Sequence, residues 1–233
     1  SGGIGLVIGG PPCQGFSSVN AKTRFIDNPK NILFKFFLEF IKAFNPDFIL
    51  LENVMGLKNL EAGAVLNDIL HSFDDIGYKS KCFDANAADY GVPQLRKRIF
   101  IIGTKHHDVD IEFPSETHQK PTNQSDIFGN TLKNWTTVGE SIKNISDENP
   151  NHVKYESADI VKERMGNIKP GENKSVLSDD LQPNTNFNNT YGRLNPDKPS
   201  FTIHTRFDTP STGELYHPFE NRALTVREGA RLQ

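Results

Sequence analysis

Apolar residues gather in runs whose period changes along the chain. Leu6-Val7-Ile8 is short and continuous and is followed at once by Gly9-Gly10-Pro11-Pro12, which predicts a buried strand running into a sharp turn. Further on, Leu33, Phe36, Phe37, Phe40, Ile41 and Phe44 recur at steps of three and four, so residues 30–44 should form an amphipathic helix lying on a sheet. Asn28-Pro29 supplies its start and Pro46 its end. The phenylalanines from Phe34 to Phe44 read as core, not as a platform for stacking bases. Phe48-Ile49-Leu50-Leu51 is then a strand of the kind buried on both faces in a parallel sheet, with Glu52-Asn53 at its C-terminal end.

Strand, helix, strand is a βαβ unit, in which ligands collect beyond the carboxyl ends of the strands. Cys13 and Glu52, each just past a strand, should therefore share a rim. A helix over 61–73, a strand over 78–83, a loop through Tyr90-Gly91-Val92-Pro93 and a strand from Arg98 to Ile102 continue the alternation, and the class is α/β. Beyond residue 104, Pro, Asn, Ser, Thr and Lys become frequent and strong apolar periodicity is lost until Phe201. That change predicts a second, smaller domain of strands and loops.

Composition narrows the classes. The 233 residues suffice for one large domain or for a domain with a smaller companion. No apolar run approaches the roughly 20 residues that cross a bilayer, and no basic-then-apolar leader opens the chain, so a cytoplasmic protein without membrane contact is expected. Cys13 and Cys82 stand far apart, and the adjacent His106-His107 is not a spacing that sets two ligands on one helix face, so neither a disulfide nor a metal is expected. A net charge of −3 is not the footprint of a general nucleic-acid binder; such a partner would need locally concentrated positive charge.

Gly3-Ile4-Gly5 invites a dinucleotide-loop reading, but these glycines precede the strand and the third of the spacing is absent. Far more specific is Gly9-Gly10-Pro11-Pro12-Cys13-Gln14-Gly15-Phe16-Ser17. Asn31-Ile32-Leu33-Phe34, Glu52-Asn53-Val54 and Gln94-Leu95-Arg96-Lys97-Arg98 follow it, and far downstream come Arg193-Leu194-Asn195-Pro196-Asp197-Lys198-Pro199-Ser200-Phe201-Thr202 and Thr225-Val226-Arg227-Glu228-Gly229-Ala230-Arg231-Leu232-Gln233. In this order the segments resemble the motifs of the DNA cytosine-5 methyltransferase family. Residues 104–190 carry no matching motif; in that family the corresponding stretch chooses the DNA sequence.

The resemblance implies a partial Rossmann-like, S-adenosylmethionine-dependent methyltransferase sheet in residues 1–104, a target-recognition domain in 105–215 and a segment returning to the catalytic domain in 216–233. It implies a monomer acting on double-stranded DNA at the bacterial nucleoid, as in restriction-modification, with the target cytosine flipped out of the duplex. Cys13 would be the thiolate that adds to carbon 6, and a free thiol, only a few per cent ionised at neutral pH, would need nearby positive potential. Glu52 would share a proton with ring nitrogen 3 and hold the amino group. Arg96 and Arg98, alternating with Lys97 along a strand edge, should face one side, with Arg98 holding the cytosine carbonyl. Pro12 and Leu33 would touch S-adenosylmethionine. Gln14, Ser17 and Gln94 would touch DNA, and Lys22, Arg24 and Lys30 in the loop after Cys13 would meet phosphates.

Taken singly, Cys13 would more often be a small buried hydrophobe, Glu52 a surface carboxylate and Gln94 to Arg98 a solvated edge; their order and co-occurrence carry the reading. The family's Phe-x-Gly-x-Gly turn has no counterpart before Ser1 and its closing segment would follow Gln233, so this chain alone is expected to bind the cofactor weakly and to be inactive. A catalytically silent DNA-binding fragment and an RNA cytosine-5 methyltransferase are the alternatives. A cysteine hydrolase ranks last, because no histidine stands at a recognisable base position.

Overall fold

The computed structural model describes residues 3–12, 32–121, 132–185, 187 and 190–233. The chain packs as two units, Ser1–Ala85 with Lys97–Ser115 and Asn86–Arg96 with Glu116–Gln233.

The first unit is built on a sheet of order β1-β2-β4-β3, with β1 at Leu6–Gly9, β2 at Phe48–Val54, β3 at Lys79–Asn86 and β4 at Lys97–Thr104. β1 runs parallel to β2 and β4 antiparallel to β2, so the expected parallel arrangement holds for β1 with β2 but not for β2 with β4. The reversal has a useful consequence. It brings the beginning of β4 to the rim formed by the carboxyl ends of β1 and β2, where Val54 pairs with Arg98. β4 is therefore an interior strand, not the edge that the Arg-Lys-Arg alternation suggested, and it begins at Lys97, leaving Arg96 outside it.

Period-two alternation sorts the side chains of β2. Ile49 and Leu51 face one side together with their β4 neighbours Ile99 and Ile101 and are fully buried. Helices α1 (Ile32–Phe44) and α2 (Ala64–Asp74) supply Phe34, Phe37, Leu38, Ile41, Val65, Ile69 and Phe73 to the same core. Phe34 and Phe37 both meet Phe73 edge-on, at 6.0 and 6.4 Å between ring centroids. The expectation of uniform burial is corrected at two places. In β1, Leu6 is 49% and Ile8 65% exposed, because the only described partner of this strand is β2. In α1, Leu33, Phe36, Phe40 and Phe44 are about half exposed, because the apolar stripe is wider than the face the core takes up.

Residues 105–115 belong to this unit and not to the second. Lys79 donates to the carbonyls of His107 and Val109, Lys81 pairs with Asp110 at 2.5 Å, and the Phe113 ring lies 5.3 Å from Phe83 and 5.6 Å from Phe100. The composition change at residue 104 marks the end of a strand rather than the end of a packed unit.

The second unit has two apolar clusters, one around Val138, Leu194, Ile203, Leu224 and Leu232 and one around Met165, Ile168, Leu181 and Tyr216. Its described strands are two residues each, β5 (His118–Gln119) and β6 (Lys133–Asn134), and short helices predominate where strands were expected. Helices α3 (Val138–Ile142) and α5 (Val226–Arg231) each start from a capping box, Thr137 with Glu140 and Thr225 with Glu228; α4 spans Asp159–Gly166. Residues 216–233 pack inside this unit, Leu232 being buried in the first cluster. Buried polar groups tie the clusters together. Every guanidinium N–H of Arg193 donates, to the carbonyls of Met165, Ile168, His217 and Glu220 and to Asn221 Oδ1. Arg222 makes a two-pronged contact to Glu228 at 2.8 Å through each nitrogen and a second to Glu220.

Candidate active site

The rim of the first unit gathers three strand ends. β1 ends in Gly9 and continues into Gly10-Pro11-Pro12, β2 ends in Glu52-Asn53-Val54, and β4 begins with Lys97-Arg98. Two glycines permit close approach. A Cβ on Gly9 would stand 2.4 Å from the Phe37 ring, so this residue lets α1 pack against the end of the strand. A Cβ on Gly10 would stand 3.3 Å from Glu52 Oε2, so this residue leaves room for the carboxylate.

Glu52 pairs across the ladder with Phe100 and so lies on the face opposite the helix-covered core; Arg98 shares that face from two positions away. Their side chains meet, Arg98 Nε lying 3.0 Å from Glu52 Oε1, while Arg98 Nη1 donates to the Lys97 carbonyl at 2.8 Å. The carboxylate is thus presented with one oxygen toward a guanidinium and the other toward the Gly10 backbone, and both side chains remain partly open to solvent. Such a pair can hold a planar ring by its polar edge, one group accepting or sharing a proton and the other donating. Lys97, by contrast, lies on the opposite face, in phase with Ile99 and Ile101, and is exposed at the very start of the strand.

The remaining expected site residues distribute as follows. Cys13, Gln14 and Ser17 lie outside the described residues, as do Lys22, Arg24 and Lys30. Pro12 and Leu33 are exposed apolar side chains of the first unit. Arg96 belongs to the second unit, where its carbonyl accepts from the Ala87 N–H. Gln94 is 1% exposed and its Nε2 donates to the Leu232 carbonyl at 2.8 Å, which fastens the C-terminal segment within the second unit. Ser200 and Thr202 complete that fastening through Pro93 and Leu95.

Asn53 was not singled out from the sequence, yet it is buried at the rim, its Nδ2 donating to the Pro11 carbonyl at 3.1 Å and its Oδ1 accepting from Val54 N at 2.9 Å. The signal was its phase: it follows Ile49 and Leu51 on the core face, where a polar side chain must find partners. Cys82, in β3, packs against the first core, and burial pushes its thiol up, opposite to the direction an activated nucleophile requires. Among the described residues no group of three or more His, Cys, Asp or Glu could hold a metal ion, and no helix is long and apolar enough to cross a membrane.

The family described as C-5 cytosine-specific DNA methylase matches residues 2–233. The Type II methyltransferase M1.HphI of Haemophilus parahaemolyticus is 38% identical over 99% of this chain and 59% of its own length. M.NgoFVII of Neisseria gonorrhoeae is 32% identical over 98% and 59%. The chain thus spans about three-fifths of the curated relatives it matches. Among solved structures, a prophage-encoded E. coli protein assigned as a DNA modification methyltransferase superposes with a TM-score of 0.62 at 22% identity, covering 97% of this chain and 67% of that one. The S. pombe Dnmt2 methyltransferase superposes with a TM-score of 0.56 at 13% identity, covering 97% and 64%. These two likenesses show the fold, a mixed α/β arrangement with a central sheet. The family match over nearly the whole length, joined to the order of the rim motifs, means that this chain belongs to the C-5 cytosine-specific DNA methylase family.

Proposed function

We propose that this chain is the nucleophile-bearing and target-contacting portion of an enzyme that methylates carbon 5 of a flipped-out cytosine in DNA. The observation that carries the reading is the Glu52–Arg98 pair, held at 3.0 Å on one face of the sheet beside Gly10, three residues before Cys13. Carbon 5 of cytosine is a weak nucleophile. Addition of the Cys13 thiolate to carbon 6 forms a carbon–sulfur bond and pushes an electron pair onto the ring, toward nitrogen 3 and carbon 5. Glu52, sharing a proton with nitrogen 3, stabilises that displaced charge, and Arg98 fixes the ring by its carbonyl. Because the same Arg98 already bonds Glu52, the two groups are held for the base before it enters.

S-adenosylmethionine, when bound, supplies the electrophilic methyl group. Pro12 and Leu33 fit it in chemistry, being exposed and apolar beside the rim motifs, and would touch its uncharged surface. They provide no polar anchor, so tight binding calls on residues beyond these two. The segment 116–190 is the candidate for choosing the DNA sequence, since it lies between the motifs without matching any.

Trapping tests the reading. A polypeptide joining this chain to the parts its relatives carry beyond it is incubated with cofactor and DNA containing 5-fluorocytosine at the target, with the same base in RNA as the comparison. A covalent adduct on DNA that disappears in Cys13→Ser is expected. An adduct that survives the substitution, or one formed on RNA alone, overturns it.

A further inference from the structure

We infer that Asn53 is a positioning residue for the nucleophile, acting through the Pro11 carbonyl; this rests on the reading of Cys13 just given. The register sets it up. Gly9 pairs with Leu51 in the parallel ladder, so two residues later Pro11 stands beside Asn53, as Gly10 stands beside Glu52. Alternation then divides the labour at the end of β2: Glu52 faces the open side and Asn53 the core side, where it is 6% exposed.

The orientation of the Asn53 amide is fixed by its partners. Val54 N is a donor, so the atom it meets at 2.9 Å is Oδ1, and Nδ2 must be the atom that meets the Pro11 carbonyl. This bond holds the Pro11–Pro12 peptide, whose planarity is enforced by resonance. The pyrrolidine ring of Pro12 locks its φ near about −65°. Between the held peptide and the one that carries Cys13, only ψ of Pro12 is then a soft torsion. Two consecutive prolines remove the N–H groups that could otherwise anchor this turn, and the carbonyl held by Asn53 takes over that task. A carboxylate at position 53 would keep the shape and the Val54 contact but would set an acceptor against the Pro11 carbonyl.

The test measures the rate of adduct formation on 5-fluorocytosine DNA at saturating DNA and cofactor, using the polypeptide of the trapping experiment, with Asn53→Asp and Asn53→Ala. Both variants are expected to react about 10- to 100-fold more slowly, with the half-saturating DNA concentration changed less than about threefold. Asn53→Asp should be at least as slow as Asn53→Ala, and its rate relative to the parent at the same pH should recover as pH falls toward about 5.5, where a protonated carboxyl regains a donor. An Asn53→Asp rate within about twofold of the parent, or a loss confined to DNA affinity, overturns the inference. If the buried carboxylate prevents folding, Asn53→Ala decides alone: folded and as fast as the parent, it overturns the inference. A parent that forms no adduct refutes the proposed function and this inference with it; a parent that forms one as slowly or as fast as both variants refutes the inference alone.

Discussion

Each of the two units is stabilised internally by a different chemistry. In the first, the sheet and two helices close over an almost wholly aliphatic and aromatic core, and polar side chains concentrate on the rim where Glu52, Asn53 and Arg98 stand. In the second, two modest apolar clusters are joined by buried guanidinium groups, Arg193 with five acceptors and Arg222 with two carboxylates. Apolar packing tolerates gradual change, whereas a buried charge tolerates little. The difference teaches where each unit should break.

The largest effects set chemistry against stability. Glu52→Gln keeps the volume and removes the charge facing Arg98; on the proposed mechanism it should slow methyl transfer by the polypeptide used for trapping about 10²- to 10⁴-fold. Because the carboxylate is partly exposed, the melting temperature should change little, which calorimetry on the same preparation checks. Arg193→Ala should do the reverse, costing the second unit about 3–5 kcal/mol in denaturant unfolding by leaving buried carbonyls without donors. An Arg193→Ala protein that unfolds at the parent's midpoint would erase the distinction between the units.

Next in size is a pH effect confined to the second unit. Burial, aided by the Arg222 charge, pushes His217 down from 6.5 to about 4, against the pull of Glu228 and Glu220 and with Arg193 adding to the push. The ring is locked neutral in the geometry too, its Nδ1 accepting from the N–H groups of Phe219 and Glu220. Since the folded value lies below the unfolded one, the unfolded chain binds the extra proton between these pH values. Stability is therefore full above 6.5 and is lost as pH falls toward 4, by on the order of 3 kcal/mol. Glu228, held below its ordinary value by Arg222 despite burial, continues the loss further down. Unfolding midpoints across this range should fall for the parent and flatten for His217→Gln; an unchanged slope in the variant assigns the effect elsewhere.

Much of the first unit was legible because its signals are local. The period of Phe34, Phe37 and Ile41 marks a helix face, and a continuous run such as Ile49 to Leu51 marks a strand, wherever the rest of the chain goes. What stayed hidden depended on distance. Phe36, Phe40 and Phe44 have the same period as the buried phenylalanines, and only the assembled core decides which part of the stripe is covered. Gln94 carries a motif that reads as a DNA contact, but its partner, the Leu232 carbonyl, is 138 positions away. The acceptors of Arg193 are spread from Met165 to Asn221, and no pattern in the sequence brings them together. At the site, Glu52 and Arg98 were legible through motif order, whereas Asn53 was overshadowed by the acid beside it.

The smallest expected effects test how the first unit ends. Residues 105–115 are held by an ion pair, Lys81 with Asp110, and by the Phe113 ring between Phe83 and Phe100. The pair is short but open to water, its side chains 42% and 68% exposed, and Lys81 lowers the Asp110 carboxyl without any burial to amplify the attraction. Asp110→Asn should thus barely move the unfolding midpoint, and less still in high salt. Phe113→Ala removes two ring contacts and should cost about 1–2 kcal/mol, nearly independent of salt. If Asp110→Asn proves the costlier of the two, charge and not packing secures this segment, and the apolar character assigned to the first unit stops at Thr104.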